Sequence, residues 1–343
     1  MAYYDGTKLL SMLDINGNKP EIYIVETNRS GGKTTYFGRL AINRFKDKGE
    51  KFALLYRYKY EVADAAKKFF SDIKGLFFQA DEMEQKSIAS GCATELFLNG
   101  ASCGYAIAIN SADSIKKYSH YFSDVSRIIF DEFQPESNQY CPNELTKFKS
   151  IHLSIARGQG KQVRYVPVYM ISNAVTLLNP YYADMGISAR LKSDTKFLRG
   201  NGFVLEHGYI ETAAIAQAQS GFMQAFSHDS YADYATQNKY LLDSVAFVSC
   251  PGGKSKYLAT LKYKDKSYAI REYAEEGVIF CDDKPDFTFP NKLSVTTADH
   301  DINYVMLRKN DFFLVTMRYF FEKGAFRFKN LQCKEAILAA LSY

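Results

Sequence analysis

Residues 21–34 read Glu21-Ile-Tyr-Ile-Val-Glu-Thr-Asn-Arg-Ser-Gly-Gly-Lys-Thr34. The first five residues are a short apolar run typical of a buried strand, and apolar side chains then recur at helical spacing between Lys33 and Lys48. A second apolar run, Phe52-Ala-Leu-Leu-Tyr56, follows. Strand, helix and strand in this order predict a βαβ unit, and therefore a parallel sheet with a right-handed crossover.

The segment between the first strand and the helix matches the phosphate-binding pattern Gly-x4-Gly-Lys-[Ser/Thr], except that Thr27 replaces the first glycine. A phosphate chain needs unobstructed backbone N–H donors, a helix amino terminus, a lysine for the β- and γ-phosphates and a hydroxyl for Mg²⁺. The alternative is a glycine-rich turn that happens to precede a helix with a lysine. We predict an ATP site (a P-loop) formed by Asn28, Ser30, Gly31, Gly32, Lys33, Thr34 and Thr35.

A second motif, Arg127-Ile-Ile-Phe-Asp-Glu132, ends an apolar strand in two carboxylates. A P-loop enzyme needs one aspartate to hold Mg²⁺ and one acid to align the attacking water, and Asp131 and Glu132 fit these roles. An Asp-Glu pair after a strand is by itself more often a solvated turn. Because we expect the pair to end a strand that neighbours the P-loop strand, it indicates ATP hydrolysis.

The chain divides by composition into three parts. Residues 1–205 contain further short apolar runs at 128–130 and 166–171, which predict an α/β motor domain. Residues 206–243, rich in Ala, Gln, Ser and acidic side chains, predict a helical acidic linker. Residues 244–343 predict a smaller α+β domain. Its β-rich stretches are 245–249, 257–263, 267–272 and 277–281, and its helical stretches are 317–323 and 334–341.

Composition excludes several other classes of protein. The chain has 343 residues, of which 47% are hydrophobic and 24% charged, so a wholly disordered chain is excluded. No apolar run is long enough to span a bilayer, and residues 1–10 lack the pattern of a secretory signal, so we expect a cytosolic protein with no membrane partner. The six cysteines form no Cys-x-x-Cys pair, which argues against a zinc knuckle. The net charge of +5 is too small to identify a polyanionic partner.

Five motifs together resemble the phi29-type phage DNA-packaging ATPases, which are terminase-like motors. The motifs are Asn28-Arg-Ser-Gly-Gly-Lys-Thr34, Tyr56-Arg-Tyr-Lys59, Ile129-Phe-Asp-Glu-Phe133, Tyr140-Cys-Pro-Asn-Glu144, and Ser172-Asn-Ala-Val175 with Asn179-Pro-Tyr181. The resemblance implies an ASCE-type P-loop NTPase fold with ATP and Mg²⁺ as cofactors. It also implies a homopentameric ring that drives double-stranded DNA into an empty capsid. Such a ring would form in the host cytoplasm, sit transiently at the portal, use a packaging RNA in some phages, and be absent from the mature virion.

The resemblance assigns roles to residues near the phosphates. Arg29 stands where the family also has an arginine, which implies a contact with the γ-phosphate. The alternative is a charge that pins the loop to a neighbouring carboxylate. Ser172 and Asn173 stand where related motors sense the γ-phosphate. For Asn173 the alternative is a side chain that caps the following turn.

Other roles implied by the resemblance lie farther from the phosphates. Lys59 matches a lysine that grips the DNA backbone, although a solvated lysine at a strand end is an alternative. Arg157 matches an arginine that reaches the ATP of the neighbouring subunit. A second trans-acting lysine falls near Lys117 or Lys116, although Tyr118 stands at the matching position.

In larger terminases the second domain is an RNase H-like nuclease with clustered carboxylates. Here residues 245–249 contain no Asp or Glu, although Asp243 precedes them and Asp282 and Asp283 end a later stretch. We therefore predict a vestigial, nuclease-inactive domain that docks on the packaging RNA or the portal. The alternative functions are a terminase-like nuclease, a nucleotide-stabilised ring subunit without turnover, and another P-loop family such as a helicase. A second Gly-Lys-Ser sequence, Pro251-Gly-Gly-Lys-Ser255, is predicted to be a hairpin turn.

Overall fold

A computed structural model describes residues 3–137, 139–157, 160, 162–177, 179–187, 190–191, 195–226, 230–238, 240–241, 250–308, 311–323 and 325–341. The chain forms two compact units. The first comprises Met1–Val175 and Lys192–Leu241, and the second comprises Thr176–Leu191 and Leu242–Tyr343. Within the described residues, none of the helices combines the length and apolar character that crossing a membrane requires.

The helices are spread over both units. In chain order they are α1 (Thr7–Ser11), α2 (Lys33–Lys48), α3 (Val62–Phe77), α4 (Ala112–Lys117), α5 (Glu144–Ala156), α6 (Pro180–Asp184), α7 (Glu211–Ala218), α8 (Gly221–Ala225), α9 (Ser230–Gln237), α10 (Phe312–Glu322) and α11 (Leu331–Leu341). Single turns of 3₁₀-helix occur at Lys59–Glu61, Ala89–Gly91, Ile109–Ser111 and Ser119–Phe122.

The described strands of the first unit form one nine-stranded sheet. They are β1 (Ile22–Glu26), β2 (Lys51–Tyr56), β3 (Met83–Ile88), β4 (Ala93–Leu98), β5 (Ala101–Ala108), β6 (Val125–Asp131), β7 (Val168–Ser172), β8 (Phe197–Gly200) and β9 (Phe203–His207). The order across the sheet is β3-β4-β5-β2-β6-β7-β1-β9-β8. Neighbouring strands pair in parallel throughout the run β5-β2-β6-β7-β1-β9. Antiparallel strands extend both edges of this run, β4 and β3 on one side and β8 on the other. This mostly parallel sheet confirms the predicted α/β class of the first domain.

The two predicted motifs do not end neighbouring strands, so that expectation was wrong. The P-loop follows β1 and the Asp-Glu pair follows β6, but β7 lies between these strands and pairs with both. All five residues of β7 are buried, as in the other central strands of a parallel sheet covered on both faces. As a result, Ser172 and the residue after it lie between the two motifs.

Helix α2 begins directly at the P-loop, as its sequence predicts. Gly32 precedes it with φ +87°, a left-handed conformation that glycine adopts without the penalty of a Cβ atom. The helix packs against α3 at Gly38, where a Cβ atom would lie 2.1 Å from Ile73 Cδ1. A larger residue at Gly38 would therefore separate the two helices.

The predicted linker is largely part of the first unit. Residues 206 and 207 are the end of β9, which pairs in parallel with β1, and α7 to α9 follow within the same unit. Helix α7 begins just after Ile210, whose backbone is bonded to the P-loop side chain of Asn28. The structure therefore places the boundary differently from the predicted 1–205 and 244–343, and it assigns 176–191 to the second unit.

The second unit has a six-stranded sheet in the described residues. Its strands are β10 (Lys256–Tyr263), β11 (Lys266–Tyr273), β12 (Val278–Asp282), β13 (Lys292–Ser294), β14 (Val305–Met306) and β15 (Phe326–Phe328), in the order β14-β13-β10-β11-β12-β15. The antiparallel run β10-β11-β12 confirms three of the predicted β stretches, and α10 and α11 confirm the two predicted helices. The predicted strand at 245–249 lies outside the described residues. The relation to RNase H remains a prediction.

Candidate nucleotide site

The P-loop connects β1 to α2 and is held from several sides. Ser30 has φ +59°, a left-handed backbone conformation that is more often adopted by glycine. The side chain of Asn28 both donates to Ile210 O at 3.2 Å and accepts from Ile210 N at 2.8 Å. The backbone N–H of Tyr4 donates to Gly31 O at 2.8 Å. Thus the loop is fixed to the segment after β9 and to the amino-terminal segment.

Lys33 is buried at the centre of the loop. Its ammonium donates to Thr27 Oγ1 at 2.8 Å, to Thr27 O and Asn28 O at 3.3 Å each, and to Asn173 Oδ1 at 3.0 Å. Burial lowers the pKa of Lys33 to about 8, against the opposing field of the Asp131 and Glu26 carboxylates. The Thr27 hydroxyl is one of the acceptors, so the residue that departs from the glycine pattern binds the lysine of the motif.

Thr34 and Asp131 meet across the site. Thr34 lies in the first turn of α2, followed by Thr35, and its hydroxyl donates to Asp131 Oδ2 at 2.7 Å. Burial raises the pKa of Asp131, while the Thr34 hydroxyl and the Lys33 cation oppose the rise. A hydroxyl beside a carboxylate is the hard oxygen donor set that Mg²⁺ prefers. These two side chains therefore fit the predicted metal position.

Glu132 lies in a left-handed turn immediately after β6, with φ +53°. Glu132 lines a cavity of about 520 Å³ together with Thr34, Asp131 and Tyr56. Partial burial in this cleft raises the pKa of Glu132, and the carboxylates of Asp131 and Glu136 add to the rise. A carboxylate with a raised pKa is a better proton acceptor, as a general base requires.

Ser172 ends β7 and Asn173 follows it, so both residues lie between the two motifs. Asn173 Oδ1 accepts from Lys33, so in the structure this side chain contacts the lysine of the predicted phosphate-binding loop. Ser172 Oγ is buried and, within the described part of the chain, has no hydrogen-bond partner. A buried hydroxyl without a partner carries a free-energy cost that a bound polar group would remove.

Arg29 is paired with a carboxylate in the structure. Its Nη1 lies 2.7 Å from Glu136 Oε1, and the same nitrogen donates to the hydroxyl of Tyr231 on α9. Tyr234 donates to Glu136 Oε1 at 2.8 Å. The contact corresponds to the second of the two predicted alternatives, a charge that pins the loop. The sequence did not single out Glu136, Tyr231 or Tyr234, because each lies about 100 or 200 residues from Arg29 in the chain.

The Glu26 carboxylate links β1, the strand before the P-loop, to other parts of the first unit. Glu26, the last residue of β1, is fully buried and accepts from Gln134 Nε2 at 3.0 Å and from the hydroxyl of Tyr240 at 2.5 Å. The Nδ1 atom of His207 lies 3.1 Å from its Oε1 atom. Sequence reasoning missed this residue, although a glutamate ending a strand that is otherwise apolar was a visible signal. Its bonds join the strand before the P-loop to the loop after Glu132.

Arg157 lines a different cavity from the one that Thr34, Asp131 and Glu132 line. It follows α5 and is exposed, and it lines a cavity of about 610 Å³ with Lys116, His120 and several serines. Lys117 ends α4 but does not line this cavity. Of the two lysines that the sequence left open, the structure therefore brings Lys116 into the same cavity as Arg157.

Lys59 follows β2 by three residues and is exposed. Its Cε atom packs against Gly91, 3.0 Å from the position that a Cβ atom would take there. The adjacent Tyr60 is 76% exposed, and its ring stacks on Tyr58 with centroids 5.5 Å apart. A lysine beside a stacked, exposed aromatic ring is a combination that nucleic acids can bind.

The candidate carboxylates of the second unit are engaged by cations. Arg271 Nε donates to Asp282 Oδ2 at 2.8 Å, and Lys329 donates to Asp283. Asp243 lies outside the described residues. No group of three or more His, Cys, Asp or Glu side chains in the described ranges is arranged to hold a metal.

The second Gly-Lys-Ser sequence leads into β10 rather than into a helix. The backbone N–H of Gly252 donates to Glu276 Oε1 at 2.5 Å. Because a carboxylate already occupies that donor, this N–H group is not free to bind a phosphate. The predicted strand at 245–249 lies outside the described residues, so the hairpin turn stays a prediction.

Comparison with known proteins adds a family to this geometry. A family model described as "Podovirus DNA encapsidation protein (Gp16)" matches residues 1–341. The DNA packaging protein of Bacillus phage phi29 is 24% identical over 306 residues, covering 88% of this chain and 87% of that protein. The DNA packaging protein of Bacillus phage B103 is 23% identical over 308 residues, covering 88% and 90%.

Solved structures are also similar to the chain, and two of them are compared with it below. The bacteriophage Phi-29 viral genome packaging motor assembly aligns with a TM-score of 0.62 at 22% identity, covering 100% of this chain and 98% of the other. The crystal structure of the N-terminal domain of the DNA packaging ATPase from bacteriophage phi29 aligns with a TM-score of 0.50 at 26% identity, covering 61% and 97%. The first likeness shows that the fold is shared along the whole chain.

Proposed function

Because this chain belongs to the podovirus DNA encapsidation protein (Gp16) family, we propose that it is the ATPase of a DNA-packaging motor, which hydrolyses Mg-ATP to move double-stranded DNA into a preformed capsid. DNA packaging is the function of the family and of the named relatives. One observation carries the ATPase assignment. Lys33, Thr34, Asp131, Glu132 and Asn173 converge at the carboxyl ends of three parallel strands, although they are up to 140 residues apart.

The P-loop residues hold the nucleotide in this proposal. Backbone N–H groups from Asn28 to Thr35 surround the phosphates at the amino terminus of α2, where the helix dipole favours negative charge. Lys33 turns from its protein acceptors to the β- and γ-phosphates. Thr34 and Asp131, whose side chains already meet, would hold Mg²⁺. When bound, the ion offsets the negative charge of the phosphates.

Hydrolysis follows from the position of Glu132. Its carboxylate accepts a proton from water while the water oxygen bonds to the γ-phosphorus and the bond to the β–γ bridging oxygen breaks, which releases ADP. Ser172, the last residue of β7, and Asn173, the residue after it, stand where the γ-phosphate would be detected. Arg157 of a neighbouring subunit completes the site, which its exposed position after α5 supports.

The contact between Arg29 and Glu136 gives a prediction that separates the two roles of this arginine. If Arg29 only pins the loop, Arg29→Ala and Glu136→Gln remove the same half-exposed ion pair, which is worth less than about 1 kcal/mol. We expect instead that Arg29→Ala lowers kcat for ATP about 10²-fold through loss of a phosphate contact, and that Glu136→Gln has a much smaller effect. Equal effects of the two variants on kcat would leave Arg29 with the pinning role alone.

The assembly is the less direct part of the proposal. We infer a homo-oligomer, a pentameric ring at the portal or connector, formed in the host cytoplasm and lost before the virion matures. The cavity that Arg157 and Lys116 line supports such a ring, because it brings two exposed cations together, of which Lys116 also lies 3.5 Å from Asp113 Oδ1. We assign Lys117 no trans-acting role. The second unit is proposed to dock on the portal or on a packaging RNA.

A nuclease is the second candidate function. A two-metal nuclease needs clustered carboxylates, whereas Asp282 and Asp283 are each paired with a cation. These pairs favour a nuclease-inactive second unit. Incubation of plasmid DNA with the protein and Mn²⁺ tests this proposal, and DNA cleavage would contradict it. A ring subunit without turnover would bind ATP and never hydrolyse it.

The DNA partner is tested by the ATPase rate with and without double-stranded DNA. We expect DNA to raise the rate of the wild type, and Lys59→Ala to reduce the increase. In a salt titration of DNA affinity, Lys59→Ala is expected to lower the slope of log K against log salt by about 1 because one phosphate contact is lost. Lys48→Ala, an exposed lysine at the far end of α2, is the matched control. An unchanged salt slope in Lys59→Ala would remove Lys59 from the DNA contact.

A further inference from the structure

Arg57 follows β2 and is buried, with only 9% of its surface exposed. Its Nη1 donates to Glu132 O at 2.6 Å, and its Nη2 donates to Phe133 O at 2.5 Å. One guanidinium therefore binds two consecutive carbonyls of the turn that follows β6. A planar group with donors in a fixed fork can hold such a pair of acceptors, whereas an ammonium cannot hold both in one geometry.

A buried carboxylate and two aromatic rings hold the Arg57 guanidinium in place. Nε donates to Glu144 Oε2 at 3.1 Å, and the Glu144 side chain is 1% exposed. The same oxygen accepts from Cys141 N at 2.9 Å, which fixes the carboxylate. The rings of Phe130 and Tyr140 lie 5.4 and 5.2 Å from the guanidinium carbon. The cation is thus paired, hydrogen-bonded and flanked by aromatic faces.

The turn that Arg57 holds has an unfavourable backbone. Glu132 has φ +53°, a left-handed conformation in which the Cβ atom of a residue other than glycine is crowded. Such a conformation persists only where surrounding contacts determine it. Relaxation of Glu132 to a negative φ would redirect its Cα–Cβ bond and take the carboxylate away from Thr34 and Asp131.

We propose that Arg57 is a positioning residue for ATP hydrolysis, which holds residues 132 and 133 in the left-handed turn that places the Glu132 carboxylate in the cavity beside Thr34 and Asp131. The inference rests on the proposed function, because Glu132 is taken as the residue that activates water. Arg57 itself touches neither the nucleotide nor the metal in this proposal. Its contribution reaches the reaction only through Glu132.

The test compares Arg57→Lys with Arg127→Lys in the full chain. Arg127 is a similarly buried arginine on β6 that pairs with Glu50 and, within the described part of the chain, forms no hydrogen bond or ion pair with the turn, so it controls for loss of a buried guanidinium. We expect Arg57→Lys to lower kcat about 10- to 100-fold, as small misplacements of catalytic groups do. Its affinity for a fluorescent ATP analogue should stay near that of the wild type. Arg127→Lys should retain kcat.

The split between kcat and KM supplies a readout that a purely structural role would not change. Arg57→Lys should lower kcat and leave KM for ATP near the wild-type value, because Arg57 contacts the carbonyls of Glu132 and Phe133 and not the P-loop. A parallel loss of kcat and of ATP affinity would instead indicate general damage to the site.

Hydrogen exchange keeps the inference testable apart from activity. In Arg57→Lys we expect faster exchange in a peptide spanning 130–136 and unchanged exchange in the P-loop peptide. Should Arg57→Lys fail to fold, Glu144→Gln weakens the same contact and should give a milder form of the same pattern. If Glu132→Gln loses its activity but Arg57→Lys keeps the kcat and the exchange rates of the wild type, the inference is overturned. A wild type that hydrolyses no ATP would contradict the proposed function instead, and unaltered exchange at 130–136 would still overturn the role of Arg57.

Discussion

Glu132→Gln is expected to bind ATP with unchanged affinity and to hydrolyse it about 10²- to 10⁴-fold more slowly than the wild type. The amide keeps the size of the side chain and its place in the cavity, but it cannot take a proton from water. The backbone contacts of residue 132, including its carbonyl bond from Arg57, do not involve the side chain and should survive. The measurement is the steady-state ATPase rate, together with binding of a fluorescent ATP analogue.

Glu84→Gln is the matched control for this variant, since Glu84 is an exposed glutamate on the edge strand β3 of the same sheet. It should hydrolyse ATP at the rate of the wild type. If both Glu132→Gln and Glu84→Gln hydrolyse ATP at the wild-type rate, a group other than Glu132 activates the water. Asp131 would then be the nearest carboxylate to consider, since its pKa is also raised by burial.

The pH dependence of the wild type follows from the same carboxylate. A general base works in its ionised form, and the pKa of Glu132 lies above its ordinary value. The rate should therefore fall as the pH drops through the raised pKa of Glu132, at a higher pH than a solvated glutamate would give. The Glu132→Gln variant should lack this limb.

The sequence predicts best what is decided locally. The P-loop, α2 and the buried strands β1, β2, β6 and β7 each have their own signal, because strand runs, a glycine-lysine loop and helical periodicity extend over a few residues. The hairpin of β4 and β5 was not predicted, although Asn99 and Gly100 form a two-residue turn with positive φ at both positions. That Asn-Gly pair is the usual signal of such a turn.

Strand order and long-range pairs could not be predicted in the same way. The insertion of β7 between β1 and β6 depends on how strands 40 or more residues apart meet, and no local pattern encodes that choice. The pairing of Arg29 with Glu136 likewise joins residues 107 apart. Arg57 was visible only as one letter of a motif. Its role depends on carbonyl groups 75 and 76 residues farther along, which have no side-chain signature.

Lys33→Met is expected to abolish ATP binding and hydrolysis without unfolding the protein. The phosphates lose a cation whose hydrogen bonds, at about 1.5–3 kcal/mol each to charged groups, correspond to a loss in affinity of about 10²-fold or more. Methionine has a similar length and no charge, so it fills the space between Thr27 and Asn173. Lys48→Met, on the exposed end of the same helix, is the control and should bind ATP normally.

The stability of the same variant separates lost binding from lost folding. Burial lowers the pKa of Lys33 from 10.5 to about 8, so the folded protein carries the cost of a charged, buried lysine below pH 8. Above pH 8 the folded state releases this proton while the unfolded state keeps it up to about pH 10.5, so this group makes the wild type more stable as the pH rises. Lys33→Met lacks both the cost and the pH dependence. The pKa shift of Lys33 corresponds to a free-energy cost of about 3 kcal/mol for its charged form, which the variant avoids. The variant also loses the hydrogen bonds to Thr27, Asn28 and Asn173, and this loss offsets part of the gain in stability. Urea unfolding at pH 7 should therefore find Lys33→Met at least as stable as the wild type, and a clearly less stable variant would mean that the loss of ATP binding reflects damage to the fold.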